Sequence, residues 1–203
     1  SGVRQNVTGH VKMLGCSRDE WCLLISSVRK LGSALISLYF QEACGRDATT
    51  RKCRHVLKLD DSELESEIVA FARIEMTRHY QHWWSLTHKS LCEAGLPFDM
   101  SNFGRDGFTS LPQAVWLVLR FEEVDGYQSI MRRWLPGIEV NHALAAADRD
   151  YYPQYTRIMK RFENRSAWPS DLLSQIEHSE SMQLFYPGLP IVSRITERAG
   201  KAH

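Results

Sequence analysis

The sequence has almost no surplus of charge. Its 203 residues hold 25 Lys and Arg against 24 Asp and Glu, a formal net charge of +1. That excludes a bulk field strong enough to gather nucleic acid or anionic lipid unaided, so any such binding must come from a local patch. No apolar run approaches the roughly 20 residues of a membrane span, and no signal peptide is visible. Cysteine pairs spaced as CxxC are missing, and the cysteine count of five is odd. Both facts argue against a disulfide framework and against a zinc ribbon. Reduced thiols follow, and with them an intracellular setting, cytoplasmic or nuclear. The chain also lacks the GxGxxG, P-loop, GxSxG and HExxH signatures, so several familiar enzyme chemistries have no motif to stand on. It has no internal repeat, low-complexity tract or sustained heptad. It opens Ser-Gly without a Met, which reads as a segment excised from a longer protein.

What is present is a hydrophobic fraction of 43%, enough for a sizeable core. Ser17-Arg18-Asp19-Glu20 has the form of a capping box. Trp21, Leu24, Ile25, Val28, Leu31 and Leu35 then trace a helical stripe toward Ala43, with a kink expected at Gly32-Ser33. A polar connection follows, with a β-like run over 55–59. Ser62-Glu63-Leu64-Glu65 is a second capping box and opens a long helix, about 63–92, closed by Gly95 and Pro97. Residues 97–109, with alternating Phe98, Phe103 and Phe108, suit a functional loop or a lobe boundary.

The run Ala114-Val115-Trp116-Leu117-Val118-Leu119 is apolar on nearly every side and predicts a central helix over 112–124. Further helices are expected up to Leu135, over 140–147, from Pro153 to about Asn164, over 169–185 and over 191–198. The fold class is therefore all-α, a compact orthogonal bundle of seven to eight helices with negligible β. A flexible N-terminal segment is expected at 1–16 and a single all-α domain at 17–203, with 97–109 as the candidate split between two lobes. Trp21, Leu24, Val28, Ile68, Phe71, Val115, Leu119 and Phe162 are the expected core.

Two constellations could carry function. On the long helix, Leu64, Ile68, Phe71 and Ala72 share a stripe that continues through Glu75, His79 and His82 to Leu86. Ionisable groups on a core-facing line must be paired or bound, because burying them bare costs several kcal/mol. A carboxylate with two imidazoles suits acid–base work or, with a further ligand, a metal. A second metal arrangement would join Cys53-x-His55 to His88-x3-Cys92, although neither spacing is typical of zinc. Arg73-x5-His79 is similar to the loose Arg-x4–6-His pattern of the HEPN ribonucleases, helical enzymes whose Arg and His act on the RNA phosphate. The similarity spans seven residues, with Ile74 where that family often has a polar residue, and it implies only Arg73 and His79 as phosphate-directed groups.

The other constellation is the helix from Pro153. Arg157, Lys160, Arg161 and Arg165 give it a basic face, interleaved with Tyr151, Tyr152, Tyr155, Phe162 and Trp168. Cations that grip phosphate and rings that stack are the ingredients of single-strand nucleic-acid binding. Tyr, Trp and Arg are also the residues of protein–protein hot spots. Arg132-Arg133 and the group Arg46, Arg51, Lys52 and Arg54 would extend such a surface where the fold gathers them.

The expectation is a non-catalytic helical interaction module. It would bind a protein or nucleic-acid partner, or self-associate as a scaffold, through Arg157, Lys160, Arg161, Arg165, Tyr155 and Trp168. No cofactor, metal or membrane is expected. The alternative is a small helical hydrolase or ribonuclease using Glu75, His79, His82 and Arg73.

Overall fold

The computed structural model describes residues 4–5, 12–13, 22–44, 50–78, 108–111, 114–137 and 151–192. Within these, strands β1 (Arg4–Gln5), β2 (Lys12–Met13) and β3 (Cys22–Val28) precede helices α1 (Leu31–Cys44), α2 (Arg51–Val56) and α3 (Asp61–Arg78). Strands β4 (Phe108–Leu111) and β5 (Ala114–Arg120) lead through a 3-10 turn, Phe121–Gly126, into α4 (Tyr127–Trp134). Helix α5 (Tyr152–Phe162) and a 3-10 turn, Arg165–Ala167, precede α6 (Ser170–Glu177) and α7 (Glu180–Phe185). Helix thus predominates among the described residues, with seven α-helices, in line with the helical class expected. The chain forms two compact units, each assembled from three separate stretches.

One unit comprises 1–29, 77–143 and 179–187 and holds every described strand. The sheet order is β1-β2-β3-β5-β4. β3 and β5 pair in parallel from Cys22 opposite Ala114 to Val28 opposite Arg120. β4 pairs with β5 antiparallel, Phe108 opposite Leu117. The helical class holds for the described residues as a whole, and the few strand residues are gathered in this unit. Of the helix expected over 112–124, residues 114–120 are instead the inner strand β5 and 121–124 belong to the 3-10 turn, and of the helix expected from Ser17, Cys22–Val28 is β3. A short run that is apolar on every side suits a strand flanked on both edges as well as it suits a buried helix. Strands β1 and β2 also fall inside the segment expected to be flexible. Leu117, Leu119, Tyr127 and Met131 form the described core here, with Ile130 and Leu135 packed against them. The Tyr186 hydroxyl lies 2.6 Å from Glu122 Oε2 and 3.1 Å from the Val28 carbonyl oxygen, tying the end of α7 to the end of β3.

The second unit comprises 30–76, 144–178 and 188–203, and all its described regular structure is helical. Leu31, Leu35, Ile36 and Phe40 of α1 are buried, as are Leu64, Ile68 and Ala72 of α3, Ile158, Met159 and Phe162 of α5, and Leu172 and Ile176 of α6. Phe40 stacks on Tyr151 at 5.4 Å and meets Tyr155 edge-on at 5.6 Å. Gly32 lies in the first turn of α1 and is no kink. A Cβ there would stand 2.8 Å from the Ile191 carbonyl oxygen, so only glycine admits this approach.

The capping box of α3 sits two residues earlier than the sequence reading placed it. The Glu63 N–H donates to Asp60 Oδ1 at 2.9 Å, and the Asp60 N–H donates to Glu63 Oε2 at 3.0 Å. The β-like run at 55–59 is replaced by α2, started by Thr50, whose Oγ1 accepts from the Cys53 N–H at 3.1 Å. The helix expected over 169–185 is two helices, α6 and α7, parted at His178 and Ser179. The helix over 140–147 lies outside the described residues, as do 193–198.

Among the expected core positions, Val28, Ile68, Leu119 and Phe162 are buried and Phe71 is half-buried. The side chains of Trp21, Leu24 and Val115 lie outside the description. Cys44 and Cys53 are joined in a disulfide, which corrects the expectation of reduced thiols at these two positions. Nothing in a nine-residue separation within an odd set of cysteines singles out that pair.

Candidate functional site: two cationic helix faces

The basic stripe foreseen on α5 is answered by carboxylates. Arg157 Nε donates to Asp61 Oδ1 at 2.6 Å. Arg161 Nε donates to Glu65 Oε1, and its Nη1 lies 3.6 Å from Asp61 Oδ2. Arg165 forms a two-pronged pair with Glu177, one prong being Nη2 to Oε2 at 3.0 Å. Asp61 and Glu65 stand four apart on α3, as Arg157 and Arg161 do on α5, so the two helices meet as a ladder of opposite charges. The hydrogen bond from Arg161 to Glu65 raises the guanidinium further above its ordinary range.

The aromatic part of that constellation is largely turned inward, with Tyr151, Phe162 and Trp168 buried and Tyr152 and Tyr155 half-buried. Trp168 is 3% exposed, its Nε1–H donates to the Phe162 carbonyl oxygen at 3.1 Å, and its ring lies 4.5 Å from that of Phe162. Tyr155 is half-buried against Phe40, with Ser37 Oγ donating to its hydroxyl at 3.3 Å. Lys160 is exposed.

The long-helix constellation is described only in part. Glu75 is buried at 8% exposure, in keeping with its core-facing register. His79 and His82 lie outside the described residues. Arg73 grips Asp171 in a bidentate pair, Nη1 to Oδ2 at 2.5 Å and Nη2 to Oδ1 at 3.0 Å. The hydrogen bond from Arg73 is the largest influence on the Asp171 carboxyl and holds it below its ordinary range. Cys53 is committed to its disulfide, so the second metal arrangement loses one of its four ligands, and His88 and Cys92 lie outside the described residues. Among the described residues no group of three His, Cys, Asp or Glu side chains is placed to hold a metal ion.

A different face emerges on α2. Arg51, Arg54, His55 and Lys58 line one open depression of about 450 Å³. Their spacings of three, four and seven place them on one side of a helical turn. All four are exposed, and among the described residues Arg51, Arg54 and Lys58 make no ion pair. The opposite side of α2 is anchored: Cys53 and Val56 are buried, and Cys53 is bonded to Cys44 at the end of α1. A helix of six residues has little stability of its own, so these anchors determine where its cations stand.

His55 is held as well. Its Nε2 lies 2.9 Å from Glu67 Oε1, and the Tyr39 hydroxyl donates to Glu67 Oε2 at 2.5 Å. Burial acts to raise the Glu67 carboxyl. The hydrogen bonds from Tyr39 and His55 and the charges of His55 and Lys52 outweigh it, and the group sits below the usual carboxylate range. An ionised carboxylate only accepts, so His55 Nε2 carries the proton of that bond and Nδ1 remains as the second polar atom of the ring. Burial is also the main reason the Tyr39 hydroxyl is pushed far above its ordinary range, so it acts here as a donor and not as an acid.

Arg51, Lys52 and Arg54 were visible in the sequence as a possible extension of a basic surface. The missed signal was the 51/54/55/58 spacing, hidden by reading 55–59 as β-like. Comparison with known proteins finds no matching family model, no matching curated protein and no matching solved structure.

Proposed function

We propose that this chain is a non-catalytic interaction module whose macromolecular partner is anionic, and that α2 rather than α5 makes the contact. The observation that carries the reading is the pooling of Arg51, Arg54, His55 and Lys58 in one open depression, three of them without a carboxylate partner among the described residues. Cations already satisfied internally gain little from a ligand, because the incoming anion must replace a bond that exists. An exposed cation with no ion pair has only water to shed when it takes an anion, a smaller cost than replacing an existing charge-assisted bond. The hydrolase alternative draws support from the buried Glu75, but Arg73, its phosphate-directed group, is occupied by Asp171.

Retention on heparin, a sulfated polyanion, tests the assignment. Arg51→Gln/Arg54→Gln and Arg157→Gln/Arg161→Gln remove the same net charge from the two helices. The α2 pair is expected to elute at clearly lower salt than wild type, and the α5 pair close to wild type. Coelution of the two variants would sink the assignment to α2.

A further inference from the structure

We infer that the α2 depression is a binding site for the phosphodiester backbone of nucleic acid, read without sequence preference. This rests on the proposed reading of α2 as the contact face and names its ligand. From Arg51 to Lys58 the helical rise carries the cations over about 10 Å. The backbone continues helically that far, with the Leu57 N–H bonded to the Cys53 carbonyl at 2.9 Å and the Lys58 N–H to that of His55 at 2.9 Å. One isolated anion reaches only part of such a row, whereas consecutive anions on one strand reach all of it.

The chemistry of the lining narrows the class. Two guanidinium forks match the paired non-bridging oxygens of phosphate, and Lys58 adds a point charge. Among the described residues the lining has no Phe, Tyr, Trp or aliphatic side chain, and its one ring, the His55 imidazole, is held at its Nε2 edge by Glu67. A protein hot spot needs a Trp, Tyr or similar anchor in a desolvated pocket. Sequence-selective single-strand readers likewise place rings against bases. A depression lined by two guanidiniums, an ammonium and an imidazole supplies chiefly the electrostatic part of recognition, which is what a phosphate backbone requires. Glu67 fixes the edge of His55, so the imidazole adds to the row from a set position.

The experiment is a fluorescence titration of the full chain with a labelled single-stranded oligothymidylate. Parallel arms use oligoadenylate, inorganic tripolyphosphate and poly-glutamate of comparable charge. The oligonucleotides are expected to bind alike. The slope of log K against log salt should be about −2 to −3, the value for three or four phosphate contacts to a single strand. Arg51→Gln/Arg54→Gln should weaken binding at least tenfold and flatten the slope by about 1.4. Lys58→Gln should give a smaller loss in the same direction, with the thermal midpoint unchanged in both.

Failure takes separable forms. Poly-glutamate that binds as tightly as the oligonucleotide, and is lost in the same variant, overturns the phosphate assignment while α2 remains the anionic contact. Tripolyphosphate binding more tightly than the oligonucleotide overturns the nucleic-acid source in favour of a short polyphosphate. Oligonucleotide binding that survives Arg51→Gln/Arg54→Gln and fails in Arg157→Gln/Arg161→Gln overturns both the inference and the reading beneath it.

Discussion

Arg51, Arg54 and Lys58 on and just after α2 recur at helical intervals of three and four, and Arg157, Arg161 and Arg165 on and just after α5 at intervals of four, yet among the described residues only the second set is answered by carboxylates. From composition the α5 stripe is the more inviting, being longer and interleaved with rings. Its partners, Asp61 and Glu65, lie 96 residues away in sequence and reach it only through the fold. A basic stripe is therefore half of a statement, and the other half is whatever acidic stripe the fold sets opposite. The rings point the same way. Those around α5 serve its buried side, where Phe162 and Trp168 pack together, so the helix is scaffold on one face and neutralised on the other. Helix α2 buries only Cys53 and Val56 and draws further order from a disulfide, a cap and Glu67.

The largest effect expected from breaking this contrast lies in the core side of α5. Phe162 is 1% exposed and packs on Trp168. Phe162→Ala should cost about 3–5 kcal/mol in urea unfolding, the range for deleting a buried ring. A loss below about 1 kcal/mol would mean that α5 is not the scaffold element described here.

Next in size is the anchor of α2. The Cys44–Cys53 bond closes a short loop across a separation of nine residues. By loop-closure entropy the double change Cys44→Ser/Cys53→Ser should lower stability by about 2–3 kcal/mol. The effect should also be local: amide protection at Arg54 and Leu57, whose N–H groups bond to Thr50 and Cys53, should fall while protection in α5 is kept. Uniform loss of protection in both helices would show that the bond holds the unit as a whole and has no special relation to α2.

Much of the helical half of the molecule was legible in the sequence because its signals are local. Pro153 in the first turn of α5, the Pro136-Gly137 stop after α4 and the 3.6-residue stripe of α3 each act within a few residues. Gly137 has a φ of +88°, the left-handed conformation that ends a helix at little cost to glycine. The strands were not legible for the opposite reason. Cys22–Val28 and Ala114–Arg120 are short apolar runs with no decisive period, and what makes them strands is each other, paired across more than ninety positions. The α3–α5 ladder, whose partners are 96 residues apart, shares that property. Of the α2 site, the residues were in plain view but their common face was not. It depends on a six-residue helix whose order comes from tertiary anchors.

The smallest expected effect tests the ladder itself. Arg157 and Asp61 are 51% and 30% exposed in their side chains, so water screens the pair and side-chain entropy opposes it. A double-mutant cycle on Arg157→Ala and Asp61→Ala should return a coupling of about 0.2–1 kcal/mol that shrinks as salt is raised. The same cycle on Arg54 and Asp61, a pair with no ion contact among those described, should return none. A measurable Arg54–Asp61 coupling would mean that α2 has an acidic partner after all and would erase the distinction between the two helices. An Arg157–Asp61 coupling indistinguishable from zero would leave the cations of α5 as available to an anion as those of α2. The heparin comparison would then have to separate the two faces by their position alone.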